Sequence, residues 1–365
     1  MCFLVFTGTR PEIIKMAPLI KELEKRGIDF FYIHTGQHYD YEMSKRFIRE
    51  LELPNPNCEF KLENSSPAAQ IGEIMIKIEK AIELVRQKPE ITFVQGDTNS
   101  VLATALTSLR LGIKIGHVEA GLRSYDWRMP EEHNRRMVDH ISDYLFAPTN
   151  LAKVNLEKEK VLGRVYVTGN TVIDALEIYF DKVIKVENKV LSQIKFDEYV
   201  LVTFHRAENV DDYKNLKSFI EILRKAPVPM VFPIHPRTRK RLKEWGGLFA
   251  LLSSLDHVQI IPPQGYFEFI ALLKNAKLVM TDSGGIQEEI THPKIRKPIL
   301  VLRNSTERPE AVKTGFAKVV GLNPTVVLAV LERLISTPPQ LPEKSPFGDG
   351  RAAKRIVNII EKEVL

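Results

Sequence analysis

The chain has 365 residues, of which 44% are hydrophobic and 27% are charged, and its formal net charge is +6 at pH 7. This length exceeds what one hydrophobic core ordinarily organises, so two domains are expected. No apolar run approaches the roughly 20 residues of a membrane span, and no arginine-rich tract or base-stacking module occurs, so we predict neither a membrane nor a nucleic-acid partner.

The N-terminal apolar run, residues 2–6, is too short for a secretory signal and no cleavage site follows it. We interpret it as a first strand and predict a cytoplasmic protein. The two cysteines, Cys2 and Cys58, are too few for a disulfide framework or a metal site.

Short β-branched or aromatic runs alternate with amphipathic helical patterns along the whole chain. In the first half the predicted strands are 3–6, 30–33, 91–94, 113–118, 144–147 and 165–167, and the predicted helices are 11–26, 68–86, 101–111 and 130–141. In the second half the predicted strands are 199–204, 230–234, 258–261, 278–281, 299–302 and 317–320, and the predicted helices include 214–224, 236–245, 267–275 and 285–290. The charged segment 181–197 is interpreted as a helix end followed by a surface connector.

Strands separated by helices indicate parallel sheets with right-handed crossovers, and two such series indicate two domains. We therefore predict an α/β fold of two doubly wound, Rossmann-like domains facing across a cleft, the GT-B type found in many nucleotide-sugar enzymes. The predicted N-terminal domain is 1–170 and the predicted C-terminal domain is 171–349. A final helix within 350–365 could pack on the first domain, and the sequence leaves this open.

Three acids of the first domain are candidate catalytic groups: Asp97, Glu119 and Glu131. Asp97 could instead cap the next helix, and Glu131 could instead only interact with the positive end of its own helix dipole. Glu119 ends a buried-looking strand, where a carboxylate is costly unless it is paired or functional. Because all three follow neighbouring strands, they could converge, and crowded carboxylates raise one another's pKa and so produce an acid and base pair.

Cations and glycines after other strands are candidates for anion binding. Arg10 and Lys15 bring two charges to the start of the first helix, although surface cations beside a turn are equally common. In the second domain Ser283-Gly284-Gly285 follows a strand and could expose backbone N–H groups to a diphosphate. Glu289 could accept from ribose hydroxyls and Arg308 could add charge, but a Gly-Gly turn is also a common structural junction.

Histidines provide no metal site. His34 and His38 are four residues apart, yet no acidic partner completes a ligand set, so no metal is predicted.

Taken together, the motifs resemble those of the non-hydrolysing UDP-N-acetylglucosamine 2-epimerases. They occur in order over nearly the whole chain, which makes the set much more specific than any one of them. The matching elements are Gly8-Thr9-Arg10-Pro11-Glu12 with Lys15, Thr35-Gly36-Gln37-His38, Gln95-Gly96-Asp97-Thr98, His117-Val118-Glu119-Ala120-Gly121-Leu122-Arg123, Pro130-Glu131-Glu132 with Asn134-Arg135, His205-Arg206 with Glu208-Asn209, Asp282-Ser283-Gly284-Gly285 with Gln287-Glu288-Glu289, and Thr306-Glu307-Arg308-Pro309-Glu310.

The resemblance implies a homodimer that interconverts UDP-GlcNAc and UDP-ManNAc without NAD, a metal or any other cofactor. The implied route is elimination of UDP to a 2-acetamidoglucal, followed by re-addition, with Asp97, Glu119 and Glu131 as the catalytic acids. The implied substrate-binding residues are Arg10, Lys15, His205, Gln264, Phe269, Ser283, Gly284, Gly285, Glu289 and Arg308.

One departure concerns a second UDP-GlcNAc site, at which many bacterial members of the family are activated by their substrate. Gln37 and His235 match that site, whereas Asp40 and Pro236-Arg237 do not, so the resemblance does not extend to substrate activation. Three other functions rank after the epimerase as alternatives: a hydrolysing relative that releases ManNAc and UDP, a GT-B glycosyltransferase, and a nucleotide-sugar sensor without activity.

Overall fold

The computed structural model describes residues 2–37, 41–64 and 66–364. Contacts divide the chain into a first unit, Met1–Ile178 with Phe347–Leu365, and a second unit, Tyr179–Pro346. The division falls at 178/179, whereas the sequence prediction placed it at 170/171.

The first unit contains a fully parallel seven-stranded sheet. Its strands are β1 Phe3–Thr7, β2 Phe30–His34, β3 Cys58–Glu59, β4 Ile91–Gln95, β5 Lys114–Val118, β6 Tyr144–Ala147 and β7 Arg164–Val167. They lie in the order β3-β2-β1-β4-β5-β6-β7. The helices between them are α1 Arg10–Arg26, α2 Tyr41–Glu50, α3 Pro67–Ile82, α4 Asn99–Arg110, α5 Pro130–Ile141 and α6 Asn150–Lys158.

The boundaries of the first helices follow from local sequence. Pro11 lies in the first turn of α1, where its missing N–H costs nothing, and Gly27 ends the helix in a left-handed conformation with φ of 66°. Thr98 caps α4, accepting a hydrogen bond from the backbone N–H of Val101 at 3.4 Å. The cap is therefore Thr98 and not Asp97, which was the structural alternative for that acid.

A long helix, α7 Thr171–Leu191, crosses the division between the two units. The sequence predicts a helix end followed by a surface connector over 181–197. In the structure, residues 181–191 of this segment are still regular helix. The elements β3, α2 and α6 are not predicted by the sequence pattern.

The second unit repeats the design with six parallel strands. They are β8 Val200–Thr203, β9 Met230–Pro233, β10 Val258–Ile261, β11 Leu278–Thr281, β12 Ile299–Val301 and β13 Ala317–Val319, in the order β10-β9-β8-β11-β12-β13. Its helices are α8 Ala207–Val210, α9 Tyr213–Lys225, α10 Pro236–Glu244, α11 Leu248–Ser253, α12 Tyr266–Asn275, α13 Gly284–Glu289, α14 Pro309–Lys313 and α15 Pro324–Ser336. A stacked pair, Phe204 and Phe219 with ring centroids 4.0 Å apart, lies in its core.

The chain then returns to the first unit as α16, Ala352–Val364, which packs on α1. Asp174, in the first turn of α7, accepts hydrogen bonds from the N–H groups of Ala352 and Ala353 at 3.0 and 2.8 Å and so caps α16. Within the described ranges, every helix is too short or too polar to cross a membrane.

Two parallel doubly wound sheets confirm the predicted α/β fold class. In each sheet the strand order reverses once, between β1 and β4 in the first unit and between β8 and β11 in the second. Ligands of such folds bind beyond the carboxyl ends of the strands at this reversal. The turns that follow these four strands are therefore the places to look for a site.

Candidate functional site

Glu12 joins the two turns at the strand reversal of the first unit. Its Oε2 accepts a hydrogen bond from the N–H of Gly8 at 2.6 Å, and its Oε1 accepts from the hydroxyls of Thr9 and Thr98 at 2.8 Å each. Glu12 is buried, and this burial raises its pKa from 4.5 to about 7 despite the three hydrogen bonds. Glu12 belongs to the motif Gly8-Thr9-Arg10-Pro11-Glu12, but its role in joining the turns is not apparent from the sequence.

The buried carboxyl of Glu12 predicts a pH-dependent stability. Between pH 4.5 and 7 the folded protein holds a proton that the unfolded chain has lost, so this contribution is present at low pH and is lost as pH rises to about 7. From pH 5 to 8 the wild type should lose on the order of 3 kcal/mol of unfolding free energy more than Glu12→Gln does. Urea unfolding at several pH values measures the difference, and parallel curves for the two proteins would contradict it.

Glu119 follows β5 with an unusual backbone and a crowded carboxylate. It is 8% exposed and its φ is 72°, a left-handed conformation that a non-glycine residue adopts only when its surroundings enforce it. Its Oε2 accepts hydrogen bonds from Lys15 Nζ, from Gln95 Nε2 at 3.2 Å and from Asn170 Nδ2 at 3.1 Å. Lys15, predicted to bind substrate, thus forms an ion pair with a predicted catalytic acid.

Asp97 follows β4 and is held by helix α5. Its carboxylate accepts a hydrogen bond from Arg135 Nη2 at 2.6 Å, and its backbone carbonyl accepts one from Asn134 Nδ2 at 3.0 Å. The side chain of Asp97 stays 27% exposed, so it can meet a ligand from solvent.

Glu131 lies in the first turn of the same helix and is half-buried. Its side chain forms no hydrogen bond or ion pair with the described residues, whereas its neighbour Glu132 is fully buried and pairs with Arg135 and Arg136. The structure therefore places Asp97 and Glu119 after the adjacent strands β4 and β5, and Glu131 at the start of α5.

Arg10, the remaining predicted cation of this unit, lies at the start of α1. Its guanidinium stands 4.7 Å from the centre of the Phe47 ring. The matched Gln37 accepts a hydrogen bond from the N–H of Ser100 at 2.8 Å, which places it beside the turn after β4. His38, considered above as a metal ligand, and Asp40, considered above for the second UDP-GlcNAc site, lie outside the described residues.

Asp282 joins the two turns at the strand reversal of the second unit. This buried side chain accepts hydrogen bonds from the N–H groups of His205 and Arg206, at 3.0 and 2.9 Å, and from Asn209 Nδ2 at 3.1 Å. The turn after β8 is thereby fastened to the turn after β11. His205 keeps a side chain that is 34% exposed and lies 5.4 Å, ring to ring, from His235.

Three arginines surround Glu307 beside the Ser283-Gly284 turn. Glu307 pairs with Arg303 at 2.8 Å, with Arg308 at 3.2 Å and with Arg206 at 3.5 Å. Arg308 also donates from Nε to the buried Glu288 at 2.8 Å, so the predicted phosphate cation is itself held in place. Three guanidiniums against the carboxylates of Glu307 and Glu288 leave one net positive charge (3 − 2) beside the turn, which favours an anion there.

The glycines of the turn differ in their surroundings. A Cβ added to Gly284 would lie 2.5 Å from Oε1 of Glu307, whereas a Cβ added to Gly285 would meet no protein atom within 4 Å. Glycine at 284 is therefore required by packing, while the space beside Gly285 is open for a ligand.

The other predicted binding residues are more widely placed. Glu289 lies on α13, one turn beyond the glycines, and is 9% exposed. Gln264 follows β10 and donates to the carbonyl of Pro262 at 2.8 Å, and the half-buried Phe269 lies on α12. Because β10 is two strands from β8, these two residues lie along the same edge of the sheet but not at the reversal itself.

Comparison with known proteins identifies similar chains. A family model described as UDP-N-acetylglucosamine 2-epimerase matches residues 21–361. The UDP-N-acetylglucosamine 2-epimerase of Methanocaldococcus jannaschii is 46% identical over 98% of both chains. The UDP-2,3-diacetamido-2,3-dideoxy-D-glucuronate 2-epimerase of Pseudomonas aeruginosa is 35% identical over 99% of this chain and 100% of its own.

Solved structures agree over the full length. The crystal structure of the M. jannaschii enzyme with UDP-GlcNAc and UDP superposes with a TM-score of 0.87, at 45% identity, and covers 99% of this chain and 100% of its own. The Neisseria meningitidis UDP-GlcNAc 2-epimerase bound to UDP-GlcNAc gives a TM-score of 0.89 at 35% identity, with the same coverage.

Proposed function

Because the chain belongs to the UDP-N-acetylglucosamine 2-epimerase family, we propose that it interconverts UDP-GlcNAc and UDP-ManNAc. The observation that carries the proposal is the different chemistry at the two strand reversals. The first unit presents acids at its reversal, and the second presents three guanidiniums and an open glycine turn. Acids suit proton transfer at the sugar, and fixed cations suit a diphosphate.

The C2 hydrogen of the sugar is adjacent to no carbonyl, so its simple removal as a proton is too costly. Elimination solves this problem. A carboxylate takes the C2 proton, the C1–O bond breaks with its electron pair leaving on UDP, and a C1=C2 double bond forms. A proton then adds to the other face of C2, and the phosphate oxygen of UDP forms the bond to C1 again.

In this proposal Asp97, Glu119 and Glu131 exchange the proton and stabilise the positive charge that develops at C1. The side chain of Asp97 is 27% exposed, so a substrate can reach it from solvent. Glu119 is held in one position by three hydrogen-bond donors, which suits it to electrostatic stabilisation.

The leaving UDP must be held until it adds back. We assign this to the turn Ser283-Gly284-Gly285, supported by the arginines around Glu307, and to His205. Glu289, Gln264 and Phe269 are assigned to the ribose and uracil, and Arg10 with Lys15 to the phosphates.

A proton NMR time course in heavy water tests the reaction. With UDP-GlcNAc and no added cofactor, UDP-ManNAc should appear carrying one deuteron at C2. An epimerised product without deuterium would rule out the elimination route. Free ManNAc with UDP would identify a hydrolysing enzyme, and UDP release only with an acceptor would identify a glycosyltransferase. A protein that binds the nucleotide sugar without any turnover would be the sensor.

We further propose that the protein is a homodimer joined through one face of the first unit. Helices α3, α4 and α5 pack side by side there. Each exposes an apolar side chain: Ile76 is 56%, Leu109 is 47% and Met137 is 45% exposed. Exposed apolar side chains on neighbouring helices can contribute to a protein contact surface. Light scattering should give twice the 41.7 kDa of one chain, and a single-chain mass would contradict the proposal.

We propose a cytoplasmic location, with which the two free thiols, Cys2 and Cys58, are compatible. Recovery of the protein in the secreted fraction of the source cells would contradict this location.

A further inference from the structure

Asp97 is one member of a chain of charged side chains that runs along α5. Its carboxylate pairs with Arg135 at 2.6 Å, and Arg135 pairs with Glu132 at 3.1 Å. Glu132 then pairs with Arg136 at 3.3 Å, and Arg136 pairs at 2.9 Å with Glu159, the residue that follows α6. The signs of the charges alternate at every step.

The same chain continues back to its starting point. Glu159 pairs with Arg123 at 2.6 Å, Arg123 with Asp139 at 2.7 Å, and Asp139 with Nδ1 of His117 at 2.8 Å. The other ring nitrogen of His117, Nε2, lies 2.8 Å from the carbonyl oxygen of Gly96. This carbonyl belongs to the peptide group that joins Gly96 to Asp97, so the links close a ring, which we call the α5 circuit.

His117 is the decisive member because of what its two nitrogens face. A backbone carbonyl can only accept, so Nε2 must donate to Gly96. Asp139 accepts from Arg123 and, at 3.2 Å, from the N–H of Gly121. Burial raises the pKa of Asp139, but the charge and hydrogen bond of the buried Arg123 guanidinium, 2.7 Å away, lower it independently of His117. Asp139 is therefore an ionised acceptor, and Nδ1 must donate to it.

The charges in the circuit lead to the same result. Asp97, Glu132, Glu159 and Asp139 supply four negative charges, whereas arginines 123, 135 and 136 supply three positive charges. A protonated His117 is the fourth cation, and 4 − 4 leaves no net charge. His140 also lies 3.7 Å from Glu159, but its side chain is 47% exposed, so solvent screens it and it does not replace a buried cation beside Asp139. Since His117 and Asp139 are both 0% exposed, an unbalanced charge there would be costly.

We infer that His117, protonated on both ring nitrogens, is a positioning residue that closes the α5 circuit and sets the orientation of Asp97. Arg135 holds the carboxylate end of Asp97, and His117 holds the peptide at its backbone end. Gly96 has a φ of 85°, so the turn depends on glycine and on this hydrogen bond for its shape. The catalytic consequence rests on the proposed epimerase function.

The protonation of His117 can be measured on the wild-type protein without any turnover. In protein labelled with ¹⁵N in its histidines, both ring nitrogens of His117 should show attached protons at pH 7, with His117→Gln assigning the signals. A ring with one protonated nitrogen would overturn the inference, whatever the protein catalyses.

Kinetics test the link to Asp97. His117→Gln should lower kcat about 100-fold, as a misplaced catalytic group does, while the Kd for UDP changes less than about twofold. In an Asp97→Asn background the same change should lower the residual rate less than about threefold, because the residue it positions is already disabled. An equal loss in both backgrounds would mean a general structural role and would overturn the inference.

His257→Gln is the matched control, since it also removes a ring contact to a backbone carbonyl, that of Leu223 at 2.8 Å, but in the second unit. It should leave kcat unchanged. If His117→Gln does not fold, Glu159→Gln breaks the same circuit at a side chain that is 16% exposed and should lower kcat about tenfold; an unchanged kcat would overturn the inference. A wild type that does not epimerise would refute the proposed function and leave the NMR result to decide the protonation.

Discussion

Asp97→Asn is expected to lower kcat for epimerisation by about 10³-fold, which corresponds to about 4 kcal/mol of transition-state stabilisation. The amide keeps the size of the side chain, and its oxygen can still accept from Arg135, but it cannot take up a proton at neutral pH. Affinity for UDP should change less than about threefold. The rate is measured by NMR and the affinity by calorimetry.

The matched control for this change is Asp212→Asn. Asp212 caps α9 in the second unit, accepting from the N–H of Asn215 at 3.0 Å, and asparagine is an equally good capping residue. This variant should keep full activity. Wild-type activity in Asp97→Asn would clear Asp97 of a catalytic role and leave the proton transfer to Glu119 or Glu131.

Gly284→Ala and Gly285→Ala should have opposite effects on stability although they are neighbours. At 284 the new methyl group would lie 2.5 Å from a carboxylate oxygen of Glu307, which is 2% exposed and held by three arginines. Overpacking of this kind costs about 1–3 kcal/mol. At 285 the new methyl group would meet no protein atom within 4 Å. Alanine in a helix is about 1 kcal/mol more favourable for stability than glycine, so this variant should not be destabilised.

The two variants should also differ in how their UDP affinity changes relative to their melting temperature. If the diphosphate lies against the open turn, the methyl group of Gly285→Ala enters its space and weakens UDP binding about tenfold or more, while the melting temperature stays unchanged or rises. Gly284→Ala should lose both affinity and melting temperature. Calorimetry with UDP and thermal unfolding measure the pair. Unaltered UDP affinity in Gly285→Ala would exclude this turn as the diphosphate site.

Much of the fold could be predicted because its signals are local. The bounds of α5, β6, β10 and β11 agree with those expected from the alternation of apolar runs and turn residues. Elements with weak patterns were missed: β3 has only two residues, and α8 has four. The charged face of α7 concealed a helix that continues to Leu191, because periodicity alone does not show where charged residues remain helical.

The site could be predicted less fully, since its contacts join residues far apart in sequence. Lys15 and Glu119 are separated by 104 positions, so nothing in the local motif around either one indicates their ion pair. Asp282 and Glu307 belong to recognisable motifs, yet only the distances show that Asp282 joins two turns and that Glu307 pairs with three arginines. Glu12 could have been found earlier, because its partners Gly8 and Thr9 lie within the same turn.

The return of α16 to the first unit has a consequence for biosynthesis. Residues 179–346 form one uninterrupted stretch, whereas the first unit is assembled from 1–178 and 347–365. A ribosome delivers the helix that covers α1 only after the whole inserted stretch has been translated. Until then the carboxylate of Asp174 lacks the N–H groups of Ala352 and Ala353, which it accepts from in the folded protein. The first unit is therefore completed last, although most of it is synthesised first.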